Sequence, residues 1–364
     1  EYALNDENLD VLITSYPLIQ RDIEHYKKYV FQSIILDESQ NVKNDAAKTT
    51  KAVKKLRAQN IFALSGTPIE NNLNELWSLF SIILPGLFQS KKSFNELSEE
   101  EISRKIDIFV LRRLKEDVLD DLPPKTETVE FIELSDEQKR LYQTQLSLIK
   151  NDVESLIEQD EFEQNRMRVL AGMTRLRQIC CDPRLVNPDY EGGSAKLDRL
   201  MEYLREALTN KKRVVLFSQF TSMLAIIRNI LDEQNVDYHY LDGSTPKEER
   251  LELTTRFNEG EKDLFLISLR AGGTGLNLTG GDTVILYDSW WNPAIEDQAA
   301  DRVHRFGQQK SVQVIRMIMQ GTIEEGINEL QDQKRELIDN VIRKSDSKKS
   351  RSLTKDDILK LLTH

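Results

Sequence analysis

The chain has 364 residues, 39% hydrophobic and 30% charged, with a formal net charge of −11 and a pI of about 5.2. That length exceeds one ordinary compact domain, and the apolar content excludes a disordered chain. No run approaches the ~18 consecutive apolar residues of a membrane helix, Glu1-Tyr2-Ala3-Leu4 is not a signal peptide, and the charge lacks the overall basic footprint of a passive nucleic-acid binder.

The first stretch alternates short apolar runs with helical patterns, which predicts a parallel α/β sheet. Val11-Leu12-Ile13 leads into Thr14-Ser15-Tyr16-Pro17, Ser33-Ile34-Ile35-Leu36 ends in Asp37-Glu38, and Ile61-Phe62-Ala63-Leu64 ends in Ser65-Gly66-Thr67-Pro68. Each has the pattern of a buried strand followed by polar or small residues, and open α/β sheets place ligand chemistry at that end. Residues 86–193 are of another kind, rich in Glu, Lys, Gln, Leu and Arg. Apolar residues recur there at helical spacing, in Leu134, Leu141, Leu146 and Ile149 and again in Met167, Leu170, Met173 and Leu176. This is read as a helical insertion, broken by Pro123-Pro124, with Gly192-Gly193-Ser194 as the hinge into a second domain.

Past the hinge, Val214–Phe217, Tyr238–Leu241, Leu264–Ile267, Val284–Tyr287 and Val312–Ile315 read as strands. Helical patterns such as Met223–Leu231 and Lys247–Phe257 separate several of them, enough for a complete α/β domain. Lys344–Arg351 reads as a polar tail, with a last short helix expected over Lys355–Leu362. The expected division is therefore 1–85, 86–193, 194–345 and 346–364. Cys180 and Cys181 are adjacent, with Cα atoms about 3.8 Å apart, closer than a normal disulfide permits. They read as core thiols of a reducing compartment, and four scattered histidines form no metal-ligand pattern.

Four groups carry candidate chemistry. Asp37 and Glu38 form an acid pair at a strand end, where Asp37 can hold Mg²⁺ through its water shell and Glu38 can orient an attacking water. Ser65-Gly66-Thr67 offers hydroxyls in a tight turn at the next strand end. Ala271-Gly272-Gly273-Thr274-Gly275-Leu276-Asn277 has glycines that let backbone N–H groups approach phosphates. Arg302 and Arg305 lie three apart, a spacing that on a helix puts both guanidiniums on one face, suited to stabilising charge on a transferring phosphoryl group. A solvated strand end, an ordinary turn and surface ion pairs are the bland alternatives for these groups. No G-x-x-x-x-G-K-[ST] loop occurs in the 364 residues.

Taken in order, Asp37-Glu38-Ser39-Gln40, Ser65-Gly66-Thr67-Pro68, Phe217-Ser218-Gln219-Phe220, Leu241–Thr245, Gly272–Asn277, Asp288-Ser289-Trp290-Trp291-Asn292-Pro293 and Gln298–Gln308 resemble helicase superfamily two. Trp291-Asn292-Pro293, His304-Arg305-Phe306-Gly307-Gln308, Leu111-Arg112-Arg113 with Lys115 and Val118, and Leu122-Pro123-Pro124-Lys125 narrow the resemblance to the Swi/Snf family of double-stranded DNA translocases. The resemblance implies an α/β fold of two RecA-like lobes, the first one incomplete here, with the helical insertion between them. It implies ATP and Mg²⁺ as cofactors, double-stranded DNA as partner, and DNA-bound proteins as targets of remodelling. Asp37 and Glu38 then handle Mg²⁺ and water, Ser65, Gly66 and Thr67 couple ATP state to DNA grip, and Thr14, Ser15 and Tyr16 touch the DNA backbone. Ser218 and Gln219 face DNA, Ser268, Gly272, Gly273, Thr274 and Gly275 lie between nucleotide and DNA, and Gln298, Arg302 and Arg305 form the last motif with the arginines as fingers. Trp291 is assigned to domain support or DNA coupling.

The family's adenine contact and Gly-Lys-Thr loop are expected upstream of Glu1, as is the Met that this sequence does not begin with. Without that loop the chain alone is expected neither to bind ATP tightly nor to turn it over. The first sheet is expected to have an exposed edge and a missing part of its core. A subunit of a split ATPase, a non-catalytic binding remnant and a strand-separating helicase are the alternatives. The implied location is cytoplasmic, nucleoid-associated in a bacterium or nuclear in a eukaryote, with no membrane contact.

Overall fold

The computed structural model describes residues 9–66, 73–111, 113, 115, 119, 121–272, 275–343, 358–359 and 361–362. Thr67, Gly273, Thr274, Arg112, Val118 and the tail 344–351 lie outside them. Chain contacts divide the protein into two compact units, Glu1–Arg112 with Gln333–Ser352, and Arg113–Asp332 with Leu353–His364.

In the first unit, β1 (Val30–Leu36) and β2 (Arg57–Ala63) pair in parallel. The helix Lys48–Val53 lies between them in sequence. Ile19, Leu36, Val42, Ala52, Val53, Leu79 and Ile82 form the core against the sheet. A second cluster of Leu76, Phe80, Phe88, Phe94, Ile102 and Ile106 is built by the helices Leu73–Ile83, Lys91–Glu96 and Glu99–Ile106. Two sequence expectations change here. Val11–Ile13 is not a strand, and residues 9–15 have no regular structure; Ile13 is 91% exposed. The runs at β1 and β2 do form strands, but Ile35 and Phe62, neighbours in the register, are 65% and 55% exposed. Among the described residues only one face of this sheet is packed, so an apolar run suited to two-sided burial leaves its other face open.

The second unit is built on a six-stranded, all-parallel sheet of order β3-β8-β7-β4-β6-β5. The strands are β3 (Lys125–Ile132), β4 (Val214–Ser218), β5 (His239–Leu241), β6 (Leu264–Ser268), β7 (Thr283–Leu286) and β8 (Val312–Met319). Side chains alternate across a pleated sheet, and this sheet is covered on both faces. Val214, Leu216, Leu264, Leu266, Ile285 and Ile315 enter one core with the helices Ala195–Thr209 and Thr221–Glu233. Val215, Phe217, Phe265, Ile267, Val284 and Val314 enter the other, with Phe257, Ala299 and Val303. Two-sided burial explains why these strands read as unbroken apolar runs.

The helices Asp136–Glu158 and Arg166–Cys181 form a third core with Ile323, Ile327, Ile358, Leu361 and Leu362. The helical expectation for this region holds over those spans, and the described residues of the last short helix pack on it. β3 is the exception, a strand within the stretch read as helical. Ser194 caps the helix Ala195–Thr209 by accepting from the Leu197 amide, and Gly193 takes the left-handed conformation at φ 74° that a side chain would strain. Among the described residues no helix is long and apolar enough to cross a membrane, and no group of three or more His, Cys, Asp or Glu side chains could hold a metal. Both cysteines are buried free thiols, and burial pushes each thiol up from its ordinary value.

Candidate functional site

In the first unit the acid pair lies just past β1. Asp37 is exposed, and Glu38 is half-buried in a left-handed conformation, φ 47° and ψ 52°. A non-glycine residue in that region stores strain and is uncommon. Local hydrogen bonds hold it there. The Glu38 amide donates to Asp37 Oδ1 at 3.0 Å, the Asn41 side-chain amide donates to the Glu38 carbonyl at 2.8 Å, and Gln40 Nε2 donates to Glu38 Oε2 at 2.6 Å. The Ser65 hydroxyl in turn donates to Gln40 Oε1 at 2.8 Å. A continuous side-chain path, Ser65–Gln40–Glu38, therefore joins the end of β2 to the acid pair. The Ser39 amide donates to the Leu64 carbonyl at 2.9 Å and ties the same two strand ends through the backbone.

Tyr16 supports this corner from below, its hydroxyl donating to the Asp37 carbonyl at 2.7 Å. Burial, then the charges of Asp37 and Glu38, push the Tyr16 phenol up to about 12, so it stays a donor throughout the physiological range. Thr14 and Ser15 are exposed, and the Thr14 hydroxyl lies 3.0 Å from the Tyr26 hydroxyl. Gly66 is exposed.

In the second unit the C-terminal ends of β4, β6 and β7 converge. Ser218 and Ser268 are register partners and both are buried. The Ser218 hydroxyl donates to the buried carboxylate of Asp288, which also accepts from the Gln219 amide at 3.1 Å. Both serines are buried at the strand ends, while the half-buried Gln219 lies at the margin. Burial outweighs the neighbouring Arg177 charge and the Ser218 bond, raising the Asp288 carboxyl above its ordinary value. Arg177, only 2% exposed, donates to the Ser289 carbonyl and lies between the rings of Phe220 and Trp291, at 5.6 and 5.3 Å. That contact packs Trp291 against the helix Arg166–Cys181.

Gly272 is buried at the end of the short helix Leu269–Gly272, where an added Cβ would come within 2.7 Å of the Phe217 ring. Gly275 is exposed with φ 62°. Gln298 is half-buried on the helix Pro293–Ala300, which Asn292 caps by accepting from the Ala294 amide. Arg316 anchors this helix from β8: it is buried and pairs with Glu296 at 3.3 Å, Asp297 at 3.1 Å and Glu127 at 2.5 Å.

The helix stops at Ala300, so Arg302 and Arg305 are not on a helix face as their spacing predicts. They lie in a succession of turns, with Gly307 at φ 98°. The His304 amide donates back to the Ala300 carbonyl and the Leu278 amide donates to the Arg302 carbonyl, at 3.0 and 2.8 Å. Arg302 is half-buried and Arg305 is exposed. The buried Gln308 closes the turn, donating to the Gly281 and Val303 carbonyls at 2.8 and 3.0 Å. Sequence reasoning gave no role to Gln40, Arg177, Asp288 or Arg316; a charged residue inside an apolar pattern is the only trace that Arg177 and Arg316 leave.

Parallel α/β units that carry an acid pair and a hydroxyl turn at strand ends in the first, and an arginine turn in the second, suit a nucleotide-driven, helicase-like ATPase. Comparisons with known proteins agree. The SNF2-related domain matches residues 4–185, and the Helicase conserved C-terminal domain matches residues 195–307. The "Uncharacterized ATP-dependent helicase" of Mycoplasma genitalium is 37% identical over 362 residues, covering 96% of this chain and 34% of that protein. The mouse "SWI/SNF-related matrix-associated actin-dependent regulator of chromatin subfamily A member 1" is 35% identical over 381 residues, covering 98% and 36%. The SWI2/SNF2 ATPase core domain of Sulfolobus solfataricus is 35% identical, with TM-score 0.52 and 94% of this chain and 72% of that one covered. The same core in complex with double-stranded DNA gives 34%, TM-score 0.50, 92% and 74%. The chain belongs to the Swi/Snf family of helicase superfamily two. It spans about a third of the length of these curated relatives.

Proposed function

We propose that the chain is part of a Swi/Snf-type motor that couples ATP hydrolysis to movement on duplex DNA and to remodelling of protein–DNA complexes. The observation that carries the reading is the Ser65–Gln40–Glu38 path. It gives a hydroxyl turn a direct mechanical hold on the carboxylate that would orient the attacking water, which is what coupling nucleotide state to DNA grip requires.

The residues fit Mg²⁺ and a nucleotide. Asp37 offers an exposed hard oxygen donor at a strand end, the ligand type Mg²⁺ takes through its water shell. Bound Mg·ATP supplies the transferable phosphoryl group. Asp37 would hold the metal's water shell, Glu38 would polarise the attacking water, and Arg302 and Arg305 would stabilise charge on the phosphoryl oxygens. Gln298, Gly272, Gly273, Thr274 and Gly275 are assigned to coupling nucleotide to DNA. Thr14, Ser15 and Gln219 contact the DNA backbone, with Tyr16, Ser218, Ser268 and Trp291 supporting them from beneath.

The proposed functional division is a first lobe at 1–85, an insertion at 86–193 that also supplies β3, a second lobe at 194–345 and a tail at 346–364. A polypeptide of these 364 residues alone is proposed not to turn over ATP, because it contains no phosphate-binding loop.

The test is DNA-stimulated phosphate release together with duplex binding. Backbone-dominated binding predicts an affinity indifferent to sequence and falling steeply with salt. Clear ATP turnover by the 364-residue polypeptide would show that a phosphate loop is dispensable. Sequence-selective, salt-insensitive binding would refute the translocase reading, and displacement of a paired strand would favour a helicase.

A further inference from the structure

We infer that Lys115 and His304 are positioning residues that clamp the arginine turn; the inference rests on the motor reading above. The helix Pro293–Ala300 ends before Arg302, so the helical ladder does not fix the two arginines. Lys115 Nζ, from a segment 189 residues away in sequence, donates to the His304 carbonyl at 2.9 Å and lies 2.8 Å from Asp301 Oδ1. One ammonium therefore spans the turn on both sides of Arg302. The His304 ring is buried, with Nε2 2.7 Å from the Pro123 carbonyl. A carbonyl only accepts, so Nε2 carries the proton.

The next residue carries the clamp into the sheet. The Pro124 carbonyl accepts from the Val312 amide at 3.0 Å, and β3 begins pairing with β8 at Lys125 and Val312. Pro123 and Pro124 thus link the arginine turn to the start of the β3–β8 register. Catalytic groups need support within about 0.5 Å, and a 1 Å misplacement costs on the order of 10²-fold in rate. Lys115 is more than a third exposed, and such ion pairs add little to stability. Its contribution is therefore to position rather than to folding.

The test uses K115M, K115R, H304L and H304Q in the full protein. In K115M and H304L, kcat for DNA-stimulated ATP turnover falls by about 10²-fold while KM for ATP shifts less than about threefold. K115R and H304Q keep a donor and recover most of the rate. Amide exchange, measured on the 364-residue chain, speeds up at Leu278, Val303, His304 and Gln308 in K115M but not in β4 or β7. Unchanged exchange in the turn overturns the clamp, whatever the activity. Faster exchange with an unchanged kcat overturns the positioning role. Failure of the unmodified full protein to turn over ATP refutes the motor reading instead.

Discussion

Lys196 and Glu324 are both fully buried, and their charges meet at 2.5 Å. Lys196 Nζ also donates to the carbonyls of Tyr287 and Met317, each at 3.1 Å, and Glu324 Oε2 accepts from the Met319 amide at 2.9 Å. The pair thereby fastens the start of the helix Ala195–Thr209 to the ends of β7 and β8. Lys196→Met leaves a carboxylate buried without its cation and removes a donor from two carbonyls. Losing one member of a buried pair costs about 3–5 kcal/mol. With a urea dependence of roughly 2–3 kcal/mol per molar, the midpoint of the second unit falls by about 1–2.5 M. Burial lowers the Lys196 pKa, but Glu324 more than offsets this and the net shift is upward. The stabilisation is therefore complete below the unfolded value of 10.5 and is lost only as pH rises through the folded value, so neutral buffer measures it in full. Urea unfolding should be followed by far-UV circular dichroism and by exchange at β7 and β8. The double variant K196M/E324L, with both charges gone, should recover most of the loss. A cost below about 1 kcal/mol for K196M, or a double variant no better than the single, would refute the buried-charge argument.

Gln40→Leu should cut the Ser65–Glu38 path and lower DNA-stimulated kcat by about tenfold, the equivalent of one hydrogen bond of about 1.4 kcal/mol, with little change in KM for ATP. Burial raises the Glu127 carboxyl, but Arg316 and Lys125 outweigh it and hold the group down at about 2. Its stabilisation is present above about 4.5 and is lost as pH falls through about 2, so Arg316→Met should flatten the acid-unfolding profile across that window, as seen by circular dichroism. Gly272→Ala should cost about 1–3 kcal/mol in a urea melt by pressing on the Phe217 ring, and F217L should relieve it.

The fold of the second unit was legible because each of its inner strands is covered on both faces. Val214–Phe217 and Leu264–Ile267 must be apolar at every position, and such runs stand out. β3 was hidden for the opposite reason. It lies at the sheet's edge, and Lys-Thr-Glu-Thr-Val-Glu-Phe-Ile carries charges that one-sided exposure tolerates. Val11–Ile13 shows that a short apolar run without a partner strand is not a strand. The acid pair and both arginines were legible as residue types in order, but their local geometry was not. The left-handed turn at Glu38 and the end of the helix at Ala300 depend on tertiary contacts. Arg177 and Ser289 lie 112 residues apart and Arg316 and Glu127 lie 189 apart, so no local pattern announces either pair.

From Arg113 onward, the stretch read as an insertion is built into the second unit rather than laid upon it, while its residues 86–112 belong to the first unit. Its strand β3 pairs with β8 along all eight residues. Its helix Arg166–Cys181 places Arg177 between Phe220 and Trp291, and the Cys181 carbonyl that ends it accepts from the hydroxyls of Tyr287 and Ser194. The same stretch supplies Lys115 and Pro123 to the arginine turn. The strand ends proposed to face DNA and the turn proposed to face the nucleotide are therefore braced by one continuous length of chain. A displacement of that helix must move Trp291 or expose a buried guanidinium, and leaving such a charge unpaired is costly. Coupling between the two faces then needs no long-range wire: a shift of the shared brace biases both, because packed interiors transmit small movements instead of absorbing them.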